Sequence, residues 1–321
     1  MTLQTTALSE DDTAIIARLK RPSFAGIDRV QRRRQFWIAM LFLAPAVILT
    51  TFVLLAPILF NVWLSFTKWK KFMGLDQFAG LANYTNLLNN PQFGEASTNA
   101  VIWVTASLVL PVGLGLIFAL SLRGLPFENT LKTIIFLPRV IAPTSIGVIW
   151  FYVYAPKGLL NAGIEAVSGA PVDVGWLYQD NTIMASIVVT YLWQNVGLVM
   201  VLLLLGLAAI PKDPIEAARM DGATPWQVFV HIVLPLLLPT LLVVSMLSII
   251  AGFGAFDLLW VMGLGYPGRR TLSLSVYMYF EGFSKGSWAY AAAIAVVLGA
   301  ITLVVTWAQA WLQVRADGLK G

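Results

Sequence analysis

Few side chains in this sequence are equipped for chemistry, and most of them sit inside apolar runs. Trp193, Gln194 and Asn195 interrupt one such run. Two amides supply donors and acceptors beside a flat aromatic face, which suits a polyhydroxyl ligand. Asp257 is the one acidic residue in the run Ile232–Met262, and Arg139 follows Pro138 in another. Polar residues in apolar spans are costly and mark an interior or a path. Each also has a plainer use. Amides tie helices together by hydrogen bonds, and for Gln194 and Asn195 that use is slightly favoured. Asp257 can bond to neighbouring backbone or side chains, and Arg139 can snorkel to the interface. Arg139 is expected near the inner half of its run and Asp257 in the outer half, so no direct pair is expected.

Catalysis is poorly provided for. The chain has one histidine, His231, and no cysteine. A thiolate site, a disulfide and a His-rich metal centre are therefore excluded. No paired acidic motif supplies an acid and a base. No GxxxxGK[ST] phosphate loop occurs, so the chain itself cannot hydrolyse ATP.

The elements that must position these residues are membrane spans. Of 321 residues, 58% are hydrophobic and 12% charged, against about 45–50% and about 25% in soluble domains. A span needs about 20 apolar residues. Six runs qualify: Phe36–Phe66, Ala100–Leu120, Thr133–Tyr154, Thr182–Ile210, Ile232–Met262 and Ala289–Leu312. The expected fold is an all-α integral membrane bundle of six transmembrane helices. The first run is too long for a cleaved signal and has no small-residue cleavage site after it, so it reads as an anchor. Residues 1–35 form a polar N-terminal segment and 36–321 the six-span domain. Trp150, Tyr152 and Tyr154 read as an outer aromatic belt. Pro57, Pro111 and Pro143 fall in or near the runs and can kink them.

Charge sets the orientation. Arg32, Arg33 and Arg34 abut the first run. With six spans, the N-terminal side carries 13 of the 21 Lys and Arg residues and the opposite side 7. That bias places both termini in the cytoplasm. The net charge of +5 is accounted for by orientation and calls for no nucleic acid.

One cytoplasmic segment, 211–235, stands out. Residues 213–227, DPIEAARMDGATPWQ, carry the grammar of two helix starts. Asp213-Pro214-Ile215-Glu216 fits N-cap to N3, and Thr224-Pro225-Trp226-Gln227 repeats it. Gly222 can take positive φ between them. The expectation is helix, glycine elbow, helix. The first helix, 214–221, has about two turns and needs a packing partner. Ala217, Ala218 and Gly222 offer a small-residue face, with Arg219 and Asp221 as polar rim. A re-entrant pair lying on lipid headgroups fits the caps equally well.

The spacing carries a resemblance. Glu216-Ala217-Ala218, three residues, Gly222, nine residues, then Ile232-Val233-Leu234-Pro235 looks like the signature loop of permease subunits of binding-protein-dependent ABC importers. GLANYTNLL (80–88), FLP (136–138), GLLN (158–161) and FGAFDLLWVM (253–262) resemble segments of the carbohydrate branch, of maltose and glycerol-3-phosphate type. The resemblance covers nearly all of the chain after residue 36. Two positions depart from it: MGLGYPGRR (262–270) replaces a Gly-Gly-Pro turn, and Arg139 stands where an uncharged residue is common. The resemblance implies a type I ABC importer permease, with residues 214–221 as a coupling helix docked on an ATPase. Glu216, Ala217, Ala218, Arg219, Asp221, Gly222 and Trp226 would make that contact. It also implies a homologous second permease subunit, two cytoplasmic ATPase subunits holding ATP and Mg, an extracytoplasmic solute-binding protein, a sugar-like substrate and a bacterial inner membrane. Trp193, Gln194, Asn195, Asp257 and Arg139 are then the candidate substrate path. Arg269 and Arg270 fit an anionic group or a contact with the binding protein. The competing readings are an ion-gradient-driven secondary transporter and an importer of a non-sugar solute.

Overall fold

The computed structural model describes residues 29–71, 74–75, 77–265, 268 and 270–318. Most of the polar N-terminal segment, and Arg269 in the departing turn, lie outside the described residues. The chain falls into two units, Met1–Phe60 and Asn61–Gly321. Helix α1 (Arg29–Thr50) continues through a π turn at Thr51–Leu55 into α2 (Ala56–Leu64). The helical stretch Arg33–Leu64 is long and apolar enough to cross a membrane.

The second unit is helical among its described residues, apart from an isolated bridge between Thr67 and Phe78. Short helix α3 (Ala82–Leu88) leads into α4 (Pro91–Ser121). Asn90 caps α4 by accepting from the Gln92 amide, and Pro91 starts the helix with φ already set. Then follow α5 (Glu128–Phe136), a 3-10 turn at Leu137–Val140, α6 (Pro143–Val153) and α7 (Leu159–Ser168). The long central helix α8 runs from Ile183 to Ala208. It packs against α4, α5 and α11 (Leu234–Phe253). Between α8 and α11 lie α9 (Asp213–Met220) and α10 (Pro225–Val228). The chain ends with α12 (Asp257–Met262), α13 (Leu274–Tyr279) and α14 (Trp288–Gly318).

Among the described residues, five helices are long and apolar enough to span, and a sixth span exists if α5 and α6 are counted as one bent pair. Two expected runs are therefore corrected. Thr133–Tyr154 is not one helix: α5 and α6 meet at 99°. Pro143 drives Ala142 into extended backbone and opens α6 as its first residue, while Pro138 sits in the 3-10 turn. Likewise Ile232–Met262 is not one helix. The span begins earlier, at Pro225, passes a π turn at Phe229–Val233 and stops at Phe253. Gly254 closes α11, and Asp257 lies in the first turn of the separate helix α12.

Contact between helices relies on small residues, as expected where lipid supplies no hydrophobic drive. A Cβ on Gly197 of α8 would collide with the backbone of Ile135 and Phe136. The broken third span thus lies directly on the α8 backbone. One apolar cluster holds Trp103, Ile146, Tyr191, Leu259, Met262 and Tyr277. A second, beside Met200, Leu203 and Leu237, joins α4, α8 and α11. The aromatic belt is corrected in part. Tyr152 is exposed, but Tyr154 is buried and its hydroxyl donates to the Ser186 carbonyl at 3.1 Å. Trp150 packs on Tyr154 and Trp193.

Candidate functional site

The N-cap of helix α9 lies one residue before the expected one. The Lys212 carbonyl accepts from both Ile215 and Glu216, at 3.0 Å each. Lys212 is therefore the N-cap, and Asp213 falls inside the first turn without making a side-chain cap. The first of the two expected capping boxes does not form. Asp213 and Glu216 still favour the positive helix start, and Arg219 the negative end.

The elbow is a complete Schellman closure. Gly222 has φ +83°. Its amide donates to the Arg219 carbonyl at 3.1 Å, and the Ala223 amide to the Ala218 carbonyl at 3.0 Å. The second capping box is present. Thr224 Oγ1 accepts from the Gln227 amide at 3.3 Å, and Gln227 Oε1 accepts from the Thr224 amide at 2.8 Å.

On α9 only Ile215 and Ala218 are partly buried; Glu216, Ala217, Arg219, Met220 and the following Asp221 are exposed. Trp226 is exposed as well, tilted against Phe229 at 5.6 Å. Sequence reasoning passed over Met220, which is 87% exposed. Inside the elbow lies a cavity of about 390 Å³, walled by Ala218, Gly222, Gln227 and His231 among others. His231 Nδ1 is 3.0 Å from the Gln227 carbonyl of its own helical run.

The polar residues of the spans meet at a second cavity, of about 160 Å³. Arg139 from the 3-10 turn, Gln194 and Asn195 from α8, and Asp257 after the α11 break all line it. Both breaks in the spans therefore open onto one place. Arg139 Nη1 donates to Asn195 Oδ1 at 2.8 Å, and Asn195 Nδ2 to the Tyr191 carbonyl at 2.9 Å. Gln194 Nε2 donates to the Ile141 carbonyl at 3.2 Å, satisfying a peptide group freed by the break. Arg139 thus turns to Asn195. It shares the cavity with Asp257, although the two form no ion pair. The Asp257 carboxylate has no ion pair or side-chain hydrogen bond among the described residues.

Trp193 is not among the residues that line the cavity; it packs edge-on against Trp150, with centroids 5.5 Å apart. The aromatic walls are Tyr191, Trp103 and Phe256 instead. Tyr191 had a signal, since it lies three and four residues before Gln194 and Asn195 and so shares their helix face. Trp103 comes from α4, and no sequence pattern singled it out.

Residues 112–318 match the family described as binding-protein-dependent transport system inner membrane component. The chain is 36% identical over 273 residues to the probable ABC transporter permease protein YurN of Bacillus subtilis, covering 84% of this chain and 93% of that protein. It is 32% identical over 266 residues to the alpha-glucoside transport system permease protein AglF of Rhizobium meliloti, covering 80% and 77%. Its fold matches a chain of a bacterial ABC transporter involved in the import of the acidic polysaccharide alginate, with TM-score 0.78 at 20% identity over 90% of this chain and 99% of that one. The chain belongs to the family of inner membrane components of binding-protein-dependent transport systems: it is an ABC importer permease.

Proposed function

We propose that this permease carries a sugar or sugar derivative, with the 160 Å³ cavity on its path, and that α9 couples the spans to separate ATPase subunits. The observation that carries the reading is the meeting of two broken spans at one polar and aromatic cavity. Non-helical backbone at membrane depth is tolerated where it is buried in protein or lines a cavity. Amides, a carboxylate and aromatic rings in one small space match the hydroxyls and apolar faces of a sugar ring. Similarity to an alpha-glucoside permease supports the same class.

The coupling role rests on shape. Helix α9 is short, exposed and closed at both ends of its elbow by hydrogen bonds, so it moves as one piece. Met220 and Trp226 present apolar surface beside Glu216, Arg219 and Asp221. That surface suits a groove on an ATPase subunit, which holds ATP and Mg. The Lys and Arg bias supports a cytoplasmic position for this loop and for both termini. A homologous second permease, a pair of ATPases and an extracytoplasmic solute-binding protein complete the importer.

The test is reconstitution of these subunits in vesicles, with ATPase rate and uptake read against a carbohydrate panel. Stimulation by a sugar supports the reading. An assembled complex that responds only to non-sugar solutes, or to an imposed ion gradient without ATP, refutes it.

A further inference from the structure

Trp103 lines the 160 Å³ cavity and is only 1% exposed, yet its indole Nε1–H has no hydrogen-bond partner among the described residues. Buried donors are nearly always paired, and an exception calls for an explanation. The ring itself is firmly seated. It lies edge-on to Tyr191 at 5.3 Å, inside the larger apolar cluster. The cavity's amides are differently placed, because Gln194 and Asn195 already bond to Ile141, Tyr191 and Arg139. Arg139 has committed a donor to Asn195. Two groups frame what a ligand must supply: the Trp103 donor, buried without a partner, and the Asp257 carboxylate, which has no ion pair or side-chain hydrogen bond among the described residues.

Their chemistry defines a ligand. It must offer an acceptor to an N–H and a donor to a carboxylate. A hydroxyl does both, and a sugar ring carries several. Charge narrows the class further. Arg139 and Asp257 bring one positive and one negative charge to the same small space, so the cavity is formally neutral. A ligand carboxylate or phosphate would gain from Arg139 but face Asp257, and it would leave the Asp257 oxygens without a donor.

We propose that Trp103 is a specificity residue of the cavity: its indole N–H donates to a hydroxyl oxygen of an uncharged sugar ring, while Asp257 accepts from another hydroxyl of that ring. This rests on the carbohydrate reading above. The indole N–H is closed to bulk water, so a seated ring meets little competition for it.

The experiment uses the reconstituted complex with its solute-binding protein, wild type and Trp103→Phe. The probes are maltose and an arabinotriose as neutral sugars, an alginate trisaccharide as the acidic one, and deoxy analogues of the neutral sugar that responds. Trp103→Phe is expected to raise KM for the neutral sugar about tenfold, equivalent to about 1.4 kcal/mol. One deoxy analogue is expected to lose as much against wild type and nothing further against the variant. The second measurement needs no variant. In wild type labelled with indole 15N, one Nε1–H resonance is expected to move with the sugar and stay with that analogue. No other tryptophan lines the cavity among the described residues.

Equal KM in both proteins, or no moving indole resonance, overturns the assignment of Trp103. An alginate trisaccharide that works as well as the neutral sugars overturns the uncharged class. If wild type answers to no sugar, the carbohydrate reading falls and this inference with it. A normal wild-type response with an indifferent variant removes this inference alone.

Discussion

Arg139 Nη1 and Asn195 Oδ1 lie 2.8 Å apart, joining the turn that breaks the third span to the middle of α8. Asn195 is also anchored through its amide nitrogen to the Tyr191 carbonyl, so both ends of its side chain are fixed. The bond is charge-assisted, and Asn195 is 8% exposed. Arg139→Met keeps the apolar stem and strands the Asn195 oxygen, at a cost of about 1–3 kcal/mol. Asn195→Ala should cost a similar amount. Because each removes the same bond, the double variant should fall short of the sum by about 0.5–3 kcal/mol. Thermal unfolding of the purified complex in detergent measures this. Additive losses would mean that the two side chains act independently.

Gly222 holds φ +83° with open space around its Cβ position. The constraint there is backbone conformation, not crowding. Gly222→Ala is therefore expected to cost about 1–2 kcal/mol and to leave the elbow usable. In Gly222→Val the β-branched side chain sharpens the same conflict, so the Schellman closure should open and α9 lose its fixed direction. Sugar-stimulated ATPase activity and uptake should then fall together, while membrane insertion is retained. Glu216→Lys places a positive charge at the positive helix start and alters the exposed face, so it should weaken attachment of the ATPase subunits. Co-purification of those subunits at wild-type levels with both variants, together with normal uptake, would sink the coupling assignment.

The capping box gives a separable test of the second helix start. Thr224→Ala removes the acceptor for the Gln227 amide, and Gln227→Ala removes the acceptor for the Thr224 amide. Each should cost about 0.5–2 kcal/mol. Asp213→Ala should cost much less, because Asp213 makes no cap bond. Hydrogen exchange at the amides of 224–228 should rise in the first two variants, and exchange at the amides of 215–216 should barely change in the third. Marked loss of protection at 215–216 in Asp213→Ala would restore the sequence-based cap at Asp213.

Caps written in neighbouring residues were readable where one geometry satisfied them, as at Thr224 and Gln227. At Asp213 the Pro214 that follows is compatible with either of the first two helical positions, and the Lys212 carbonyl decided the frame. Spans were readable from length and hydropathy, but the breaks at 137–142 and 254–256 were not. Their prolines and glycine are no mark by themselves, since Pro111 and Pro239 sit inside unbroken helices. The consequence reached the site. On unbroken helices Arg139 and Asp257 would lie at different depths, and only the breaks let both line one cavity. Trp193 stands next to Gln194 and Asn195 in sequence, yet adjacent helical residues point about a third of a turn apart. The ring that does line the cavity, Trp103, is far from Tyr191 in sequence, although the two ring centroids are 5.3 Å apart in the fold. Such a pairing between α4 and α8 leaves no trace in local spacing.

Two glycines in long spans separate close packing from mere permissiveness. A Cβ on Gly197 would strike the backbone of Ile135 and Phe136, which cannot swing aside as a side chain can. Gly113 of α4 has nothing within 4 Å of the same position. Gly197→Ala should therefore force α8 away from the broken third span and loosen the Arg139 to Asn195 bond. Overpacking of this kind typically costs about 1–3 kcal/mol, and more where backbone must shift. Gly113→Ala should be neutral or stabilising by up to about 1 kcal/mol, since alanine is the better helix former. The measurement is thermal unfolding of both variants, with sugar-stimulated ATPase activity as the functional readout. Gly197→Ala should lose both stability and stimulation, and Gly113→Ala neither. If Gly197→Ala matched wild type in both, the turn carrying Arg139 would not depend on close contact with α8, and the cavity would have to be held open by other means.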